Sequence, residues 1–257
     1  MRFEGKVAVV TGAGTGIGKA TALAFAREGA SVVIADIDLE SAEAVTKEIK
    51  SLGRKALTIK ADVSNKPDVV QMVDKVVQEF GKIDILVNNA GVVVICPTED
   101  LAEEDWDKVV SVDLKGMFLC SQAVARQMIK QGSGKIVSLA STAAHRGFYG
   151  LGAYCASKGG VLSLTRQMAA EWAKYNINVN TVSPSVTLTE MVRKYYEDTG
   201  KSKEDQLRWI PLGRLNEPED VSAVILFLAS ADADNITGRD ILIDGGVATL
   251  FWPKDEQ

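Results

Sequence analysis

Short apolar runs rich in β-branched residues alternate along the chain with longer segments of helical periodicity. Within each run the apolar positions are consecutive, which indicates strands buried on both faces. Alternation of strand and helix indicates a parallel sheet with right-handed crossovers and helices on either side. The pattern predicts a doubly wound α/β fold with a mostly parallel, seven-stranded sheet and helices on both faces. The predicted strands are residues 7–10, 31–35, 56–61, 83–87, 135–139, 177–182 and 240–243.

These segments follow one another without a Pro-, Gly- or Ser-rich linker, a repeat or a low-complexity tract. We therefore predict a single domain over residues 1–257. One polar stretch, residues 187–215, follows the sixth predicted strand and contains two predicted short helices, at 190–198 and 203–209. Open α/β sheets bind ligands at the carboxyl ends of their strands. The stretch is interpreted as a substrate lid, with a plain connection as the alternative.

Composition and charge narrow the classes of partner. The formal net charge is −5 and no basic stripe is present, which disfavours nucleic acid and anionic membranes as partners. The three cysteines lack metal-ligand or disulfide spacing, and the single histidine cannot build a metal site. We expect no metal and a reduced, cytoplasmic location. No secretory segment is evident, and no apolar run reaches the roughly 18 residues of a membrane span.

A glycine-rich turn, TGAGTGIG at residues 11–18, follows the first predicted strand and precedes a helix. Such a unit presents free backbone N–H groups and the positive helix end to a phosphate, and glycine allows close approach. The spacing differs from G-x-G-x-x-G, and a plain tight turn is the alternative. The turn predicts a dinucleotide site. The predicted cofactor contacts in it are Gly12, Thr15, Gly16, Ile17 and Gly18.

An acidic residue, Asp36, ends the second predicted strand. A carboxylate there can accept hydrogen bonds from the adenosine ribose hydroxyls and repels a 2′-phosphate. Neither Thr15 nor Ile37 supplies a cation to offset that repulsion, so NAD is favoured over NADP. Asp36 and Ile37 are both predicted cofactor contacts. The alternative role for Asp36, capping the next helix, is one that Asp38 and Ser41 can perform.

The ends of the third and fourth predicted strands add candidates for the cofactor site. Asp62 and Val63 can meet the amino group and the face of an adenine ring. The sequence NNAG at residues 88–91 ends the fourth strand, where small residues leave room for a cofactor and asparagine side chains can tie loops together. Asn89, Ala90 and Gly91 are therefore predicted cofactor contacts, although NNAG alone is also an ordinary turn.

Tyr154 and Lys158 are four residues apart at the start of a predicted helix. This spacing places both side chains on one face. A nearby ammonium stabilises a tyrosine phenolate, and a phenol so assisted can exchange a proton near neutral pH. By spacing alone, an exposed Tyr/Lys pair is the better interpretation.

The order of four motifs along the chain instead favours a catalytic role for Tyr154 and Lys158. TGAGTGIG, NNAG, Ser141 and the Tyr154/Lys158 pair together resemble the short-chain dehydrogenase/reductase family, and the resemblance covers nearly the whole chain. Ser141 precedes Tyr154 by thirteen residues, the separation that the family shows. The resemblance implies a Rossmann fold and direct hydride transfer between a nicotinamide and a carbinol or carbonyl carbon.

The resemblance also implies roles for individual residues. Tyr154 would exchange the hydroxyl proton, Ser141 would hydrogen-bond the substrate oxygen, and Lys158 would hold the nicotinamide ribose and assist Tyr154. In the strip that meets the nicotinamide amide, the implied cofactor contacts are Pro184, Val186 and Thr189. Family helices equivalent to the one containing Tyr154 often form a four-helix contact, which implies a homotetramer, with a dimer as the alternative.

Two departures from the family pattern bear on the site. The family usually has asparagine at the position of Asp113, where it is thought to place a water in a proton relay from the lysine; Asp113 is kept as a catalytic candidate. Ser185 occupies a position that is mostly glycine in the family. The lone histidine, His145, follows Ser141 by four residues and is either a loop residue or a substrate contact.

The leading function is an NAD-dependent oxidoreductase acting on a small alcohol or carbonyl compound, with a sugar, polyol or small hydroxyketone favoured. Three alternatives stay open. They are a 3-oxoacyl-thioester reductase, an NADPH-linked reductase, and a catalytically weak nicotinamide-binding sensor suggested by Asp113.

Overall fold

The computed structural model describes residues 1–199 and 202–248, so the predicted domain over residues 1–257 extends beyond the described residues. Seven strands occur in the described part. They are β1 Val7–Thr11, β2 Ser31–Asp36, β3 Ala56–Lys60, β4 Ile85–Asn88, β5 Gly134–Leu139, β6 Ile177–Pro184 and β7 Asp240–Ile243. They form one sheet in the order β3-β2-β1-β4-β5-β6-β7, and every neighbouring pair is parallel. The predicted doubly wound sheet is confirmed.

Each predicted strand is present, with small shifts at its ends. The fourth begins at Ile85 instead of residue 83. Ile83 is fully buried, but its backbone N–H donates to Gln131 Oε1 at 3.0 Å and its carbonyl accepts from Gln131 Nε2 at 2.8 Å. The Gln131 side chain thus satisfies the backbone N–H and carbonyl of Ile83, and the hydrogen-bonded pairing with β1 begins only at Ile85. A pattern of apolar residues cannot reveal this.

Helices cover both faces of the sheet, as predicted. In the described residues they are α1 Gly16–Arg27, α2 Leu39–Ser51, α3 Lys66–Phe80, α4 Glu103–Val110, α5 Met117–Gln131, α6 Gly152–Trp172, α7 Glu190–Thr199, α8 Glu204–Leu207 and α9 Pro218–Ala229. A π-helical turn, Ser111–Gly116, joins α4 to α5. Within the described part of the chain, no helix is both long and apolar enough to cross a bilayer.

Two hydrophobic cores explain the consecutive apolar positions. Val9 points into the core formed with α3, α5 and α6, whereas its neighbour Val10 points into the core formed with α1, α2 and α9. Both valines are fully buried. Because successive strand residues face opposite sides, a strand that serves two cores must be apolar at every position.

The polar stretch at residues 187–215 carries α7 and α8, and its residues 200 and 201 lie outside the described part. The first predicted helix is present. The second is shorter than predicted, because the N–H groups of Trp209 and Ile210 bond to carbonyls three residues back and end α8 in tight turns. Ile210 and Leu215 form a small buried cluster with Val247, which follows β7.

Candidate active site

The candidate residues follow four different strands of the parallel sheet. The glycine turn follows β1, NNAG follows β4, Ser141 follows β5, and Pro184 ends β6. Parallel strands have all their carboxyl ends at one edge, so the topology gathers these segments there. The fold therefore brings these four segments together at the carboxyl edge of the sheet.

The glycine turn packs directly against the NNAG segment. Asn89 Nδ2 donates to Thr11 O at 3.0 Å and to Gly12 O at 2.7 Å. Gly12 has φ +61°, and a Cβ on it would lie 2.8 Å from Ala90 Cα. A Cβ on Gly18 would lie 2.1 Å from Gly12 O. Side chains at these two positions would force the two segments apart, and Asn89 clamps them together.

The opposite side of the turn meets the strip that follows β6. Gly16 has φ +55°, and a Cβ on it would lie 3.1 Å from Thr189 Cγ2. In that strip Ser185 Oγ accepts a 3.3 Å hydrogen bond from Asn216 Nδ2, so serine in place of the family's glycine adds a loop contact. Pro184 is the last residue of β6, and Val186 packs on the small buried cluster of Ile210, Leu215 and Val247. The structure thus places the predicted phosphate segment beside the predicted nicotinamide strip.

Asp36 sits beside the glycine turn with both carboxylate oxygens in use. Its Oδ2 accepts from Gly14 N at 2.8 Å and its Oδ1 from Asp38 N at 3.0 Å. Asp38 caps α2 by accepting from Glu40 N and Ser41 N. Capping is therefore the task of Asp38, as the sequence indicated, and Asp36 is held half-buried at the mouth of the turn.

One cation that the sequence does not place near Asp36 lies on the neighbouring strand. The β2–β3 ladder pairs Asp36 with Lys60, and Lys60 lines an open groove together with Ile37 and Asp62. Sequence spacing could not reveal this neighbour, because the register between two strands decides it. Thr15 and Ile37 are therefore not the only positions that could place a cation beside Asp36, since Lys60 lies on the neighbouring strand.

Asp62 and Val63 are both engaged in packing and turns. Asp62 Oδ1 accepts from Ser64 N at 2.8 Å and from Ser64 Oγ at 2.7 Å. Val63 is buried, and a Cβ on Gly116 would lie 2.7 Å from its Cγ2. Asp62 remains partly exposed on the groove, whereas the Val63 side chain is committed to contact with the π-helical turn.

Lys158 and Asp113 form a buried ion pair in the site. Lys158 Nζ lies 3.1 Å from Asp113 Oδ2, and the two side chains are 4% and 0% exposed. The same Nζ donates to Leu139 O at 2.9 Å and lies 5.4 Å from the centre of the Tyr154 ring. Burial is the strongest single influence and lowers the pKa of Lys158, but attraction to Asp113 and then Tyr154 outweighs it and raises the pKa above 10.5.

Asp113 owes its position to the π-helical turn. Its Oδ1 accepts from Val92 N at 2.8 Å, and its Oδ2 makes the ion pair with Lys158. A Cβ on Gly91 would lie 3.2 Å from Oδ2. The departure from the family pattern therefore creates a direct, buried Asp–Lys pair, held between α6 and the segment after β4.

Ser141 and Tyr154 both have partly exposed side chains. Ser141 begins a short turn, Thr142–Ala144, and its Oγ accepts from Ala143 N at 3.1 Å. Tyr154 lies in the first turn of α6. His145, beyond Ser141, pairs with Asp240 at 2.8 Å between Nε2 and Oδ2. Among the residues that the structure describes, no three His, Cys, Asp or Glu side chains come together as metal ligands.

The sequence is similar to those of known reductases and dehydrogenases. A family model described as enoyl-(acyl carrier protein) reductase matches residues 12–248. The chain is 45% identical over 247 residues to the 3-oxoacyl-[acyl-carrier-protein] reductase FabG of Thermotoga maritima, covering 96% of this chain and 99% of the relative. It is 46% identical over 241 residues to the NAD-dependent glycerol dehydrogenase of Listeria innocua, covering 94% and 93%.

Solved structures agree with these matches. A short-chain type dehydrogenase/reductase from Mycobacterium marinum superposes with a TM-score of 0.91 at 39% identity, over 96% of this chain and 97% of the other. NAD⁺-bound xylitol dehydrogenase superposes with a TM-score of 0.91 at 34% identity, over 96% and 100%.

Proposed function

Since the chain belongs to the short-chain dehydrogenase/reductase family, we propose that it interconverts a secondary alcohol and a ketone with NAD(H), using Tyr154 as the proton donor and acceptor. Its family makes it an oxidoreductase that acts on CH–OH groups. Beyond this family activity, we propose which nicotinamide cofactor the protein uses, which residues act in catalysis and which class of substrate it takes. The observation that carries it is the buried Lys158 ammonium beside the Tyr154 ring.

The described residues fit a nicotinamide dinucleotide. Helix α1 begins at the glycine turn with no side-chain cap and no acidic residue in its first turn, so its positive end is available to a phosphate. Gly12, Gly16 and Gly18 would hold the pyrophosphate, Asp36 the adenosine ribose, and Thr189 the nicotinamide amide. When bound, the cofactor supplies the hydride acceptor or donor.

The protein's own residues would then handle the proton. Tyr154 would pass the hydroxyl proton to or from the substrate oxygen. The contact between Ser141 Oγ and Ala143 N uses a lone pair of the hydroxyl oxygen, so its hydrogen can be donated to the substrate oxygen and stabilise charge there. The Lys158 ammonium would stabilise the phenolate of Tyr154.

Asp113 would act as a positioning residue for Lys158. Its carboxylate keeps the neighbouring ammonium charged, because it raises the pKa of Lys158 against the effect of burial. In family members with asparagine a neutral side chain occupies this place. We therefore propose that direct ion pairing replaces the relay through asparagine in this chain.

Replacing Tyr154 with phenylalanine tests the assignment. We expect turnover to be abolished while NADH binding, followed by fluorescence titration, stays at the wild-type level. Tyr175→Phe, in the short 3₁₀ turn that follows α6, is the matched control and should retain activity. An active Tyr154→Phe protein would overturn the assignment, and NADH binding without turnover in the wild type would favour the sensor alternative.

The preference for NAD over NADP rests on Asp36, with Lys60 as an opposing charge. A carboxylate repels a 2′-phosphate, whereas an adjacent ammonium attracts it. We expect a higher kcat/KM with NADH than with NADPH, a smaller difference in Asp36→Ala, and a partial return of the difference in Asp36→Ala/Lys60→Ala. A wild-type preference for NADPH would refute the assignment.

Relatives named for small polyols support a polyol or sugar substrate. They include the glycerol dehydrogenase, a D-threitol dehydrogenase at 42% identity and the xylitol dehydrogenase structure. FabG, at a similar identity, supports reduction of a 3-oxoacyl thioester as the second candidate. Oxidation of glycerol, threitol and xylitol with NAD, measured beside reduction of acetoacetyl thioesters with NADH, separates the two.

The remaining expectations concern assembly and location. We propose a homotetramer, by analogy with the family, and a cytoplasmic location. Light scattering after size-exclusion chromatography tests the first, and a mass equal to one 27.6 kDa chain would contradict it. Cell fractionation tests the second.

A further inference from the structure

Asp240, the first residue of β7, carries a nearly buried carboxylate with three hydrogen-bond partners. Its Oδ1 accepts from Thr181 Oγ1 and from Ser183 Oγ, each at 2.8 Å. Its Oδ2 lies 2.8 Å from His145 Nε2. The Asp240 side chain is 10% exposed and that of His145 is 29% exposed. A carboxylate so enclosed needs several partners, and here two structural segments supply them.

The first segment leads to Ser141. Ala144 N donates to Ser141 O at 2.9 Å, and His145 N donates to Thr142 O at 3.1 Å. These bonds make the path from Ser141 to His145 a single tight turn. Any restraint on the His145 ring is therefore transmitted to Ser141 within four residues.

The second segment leads to the strip after β6. Ser183, held by Asp240, directly precedes Pro184, the last residue of β6, and the strip continues from there. Ser185 N then donates to Ile243 O at 3.0 Å, which continues the attachment to β7. Asp240 thus connects the loop on the substrate side to the strip proposed to face the nicotinamide.

We infer that the Asp240–His145 pair is a positioning device that holds the Ser141 loop in register with the β6–β7 edge of the site. The inference rests on the proposed function, because it assigns the pair to the placement of the Ser141 hydroxyl. It also gives His145 a role distinct from substrate contact, since its Nε2 is engaged with Asp240. Neither residue needs to touch the substrate.

Loss of the His145–Asp240 tether should lower kcat. A displacement of about 1 Å at a reacting group can cost up to a hundredfold in rate, so a loop that is loosened but still folded should lose about tenfold in kcat. The affinity for NADH should not change when His145 is replaced, because the glycine turn and Asp36 lie elsewhere and Asp240 keeps its bonds to Thr181 and Ser183 beside the strip.

Two substitutions at His145 separate positioning from substrate contact. In His145→Ala the tether is lost, and we expect kcat to fall about tenfold with the Kd for NADH unchanged. In His145→Gln the amide nitrogen can still donate to Asp240, and we expect kcat to stay within about twofold of wild type because the bond is retained. The double variant His145→Ala/Asp240→Asn should have no lower kcat than His145→Ala.

Three results would overturn the positioning role of the Asp240–His145 pair, and each differs from a failure of the proposed function. Equal impairment of both His145 variants, or a raised substrate KM at unchanged kcat, would make His145 a substrate contact and overturn the inference. Wild-type kcat in His145→Ala would overturn it as well. Failure of the proposed function itself would appear separately, as turnover retained in Tyr154→Phe.

One readout does not depend on turnover. His145 is the only histidine of the chain, so its imidazole proton resonances report on the pair without overlap. We expect these resonances to shift in Asp240→Asn and to stay unchanged in the control Asp234→Asn. Unshifted resonances in Asp240→Asn would show that the pair does not form and would overturn the inference.

Discussion

Replacing Asp113 with asparagine removes one charge from the buried ion pair and preserves the shape of the side chain. In the wild type, Asp113 Oδ2 lies 3.1 Å from Lys158 Nζ, with both side chains almost fully enclosed. Asparagine can keep the 2.8 Å hydrogen bond from Val92 N, because an amide oxygen also accepts. The substitution therefore isolates the contribution of the charge.

The cost follows from leaving an ammonium without its counter-ion. Removing one partner of a buried pair costs about 3–5 kcal/mol of unfolding free energy. Lys158 keeps its bond to Leu139 O, so we expect the lower end, about 3 kcal/mol. For a chain of this size each 1 kcal/mol shifts Tm by about 2–4 °C, which predicts a fall of roughly 6–12 °C.

The pH dependence of this loss gives a second signature. The pKa of Lys158 in the folded protein lies above its ordinary value of 10.5. Its stabilising contribution is therefore fully present below about pH 10.5 and is lost as the pH rises through the folded pKa. In the variant the attraction to Asp113 is gone, and burial is the strongest remaining influence on the pKa of Lys158 and acts to lower it, so the penalty is relieved as the pH rises. The difference in unfolding free energy should be widest near neutral pH and narrow towards about pH 10.

Urea unfolding followed by circular dichroism, at several values between about pH 7 and about pH 10, measures this difference. The control is Asp234→Asn, which breaks a 2.6 Å ion pair with Lys135. The Asp234 side chain is 70% exposed. Exposed pairs contribute about 1 kcal/mol or less. A loss in Asp113→Asn no larger than in the control, or a loss that stays constant with pH, would refute the reasoning.

Three further predictions concern packing around the site and in the core. Gly18→Ala places a methyl group 2.1 Å from Gly12 O, so we expect NADH binding to be lost and the protein to be destabilised by about 1–3 kcal/mol; a wild-type Kd in fluorescence titration would contradict this. Burial raises the pKa of Cys120 to about 12, so its thiol stays protonated and unreactive near pH 8; Ellman's reagent should detect at most two of the three thiols until the protein is denatured. Leu86→Ala empties a fully buried position in β4 and should cost about 2–5 kcal/mol in urea unfolding, whereas a loss well below that range would indicate that the core repacks.

The fold could be predicted because it depends on burial, which apolar residues record directly. Val9 and Val10 serve two different cores, so the β1 run reads as continuously apolar and its strand is recognisable. The motif residues could be predicted for a related reason. The glycine turn, NNAG and Ser141 each follow a strand, so the parallel topology gathers them at one edge, whereas Tyr154 and Lys158 reach that edge on α6.

Contacts between distant segments could not be predicted. The Asp113–Lys158 pair depends on how α6 packs against the π-helical turn, and His145 meets Asp240 across 95 residues of chain. Lys60 faces Asp36 only through the register of two strands. None of these contacts has a periodic or spaced signature, because tertiary packing decides them.

The π-helical turn at Ser111–Gly116 has a consequence for how this segment tolerates length changes. Relative to an α-helix, a π turn accommodates one additional residue, and each residue of an α-helix rotates the chain by about 100°. Deleting one residue here would allow an unbroken helix from α4 into α5, with better backbone regularity and with Asp113 rotated away from Lys158. We expect such a deletion to keep the helix but to lose the buried ion pair, and with it both the positioning of Lys158 and a stabilisation like that lost in Asp113→Asn. The π-helical turn directs the Asp113 carboxylate towards Lys158, and a regular α-helix at this point would not do so.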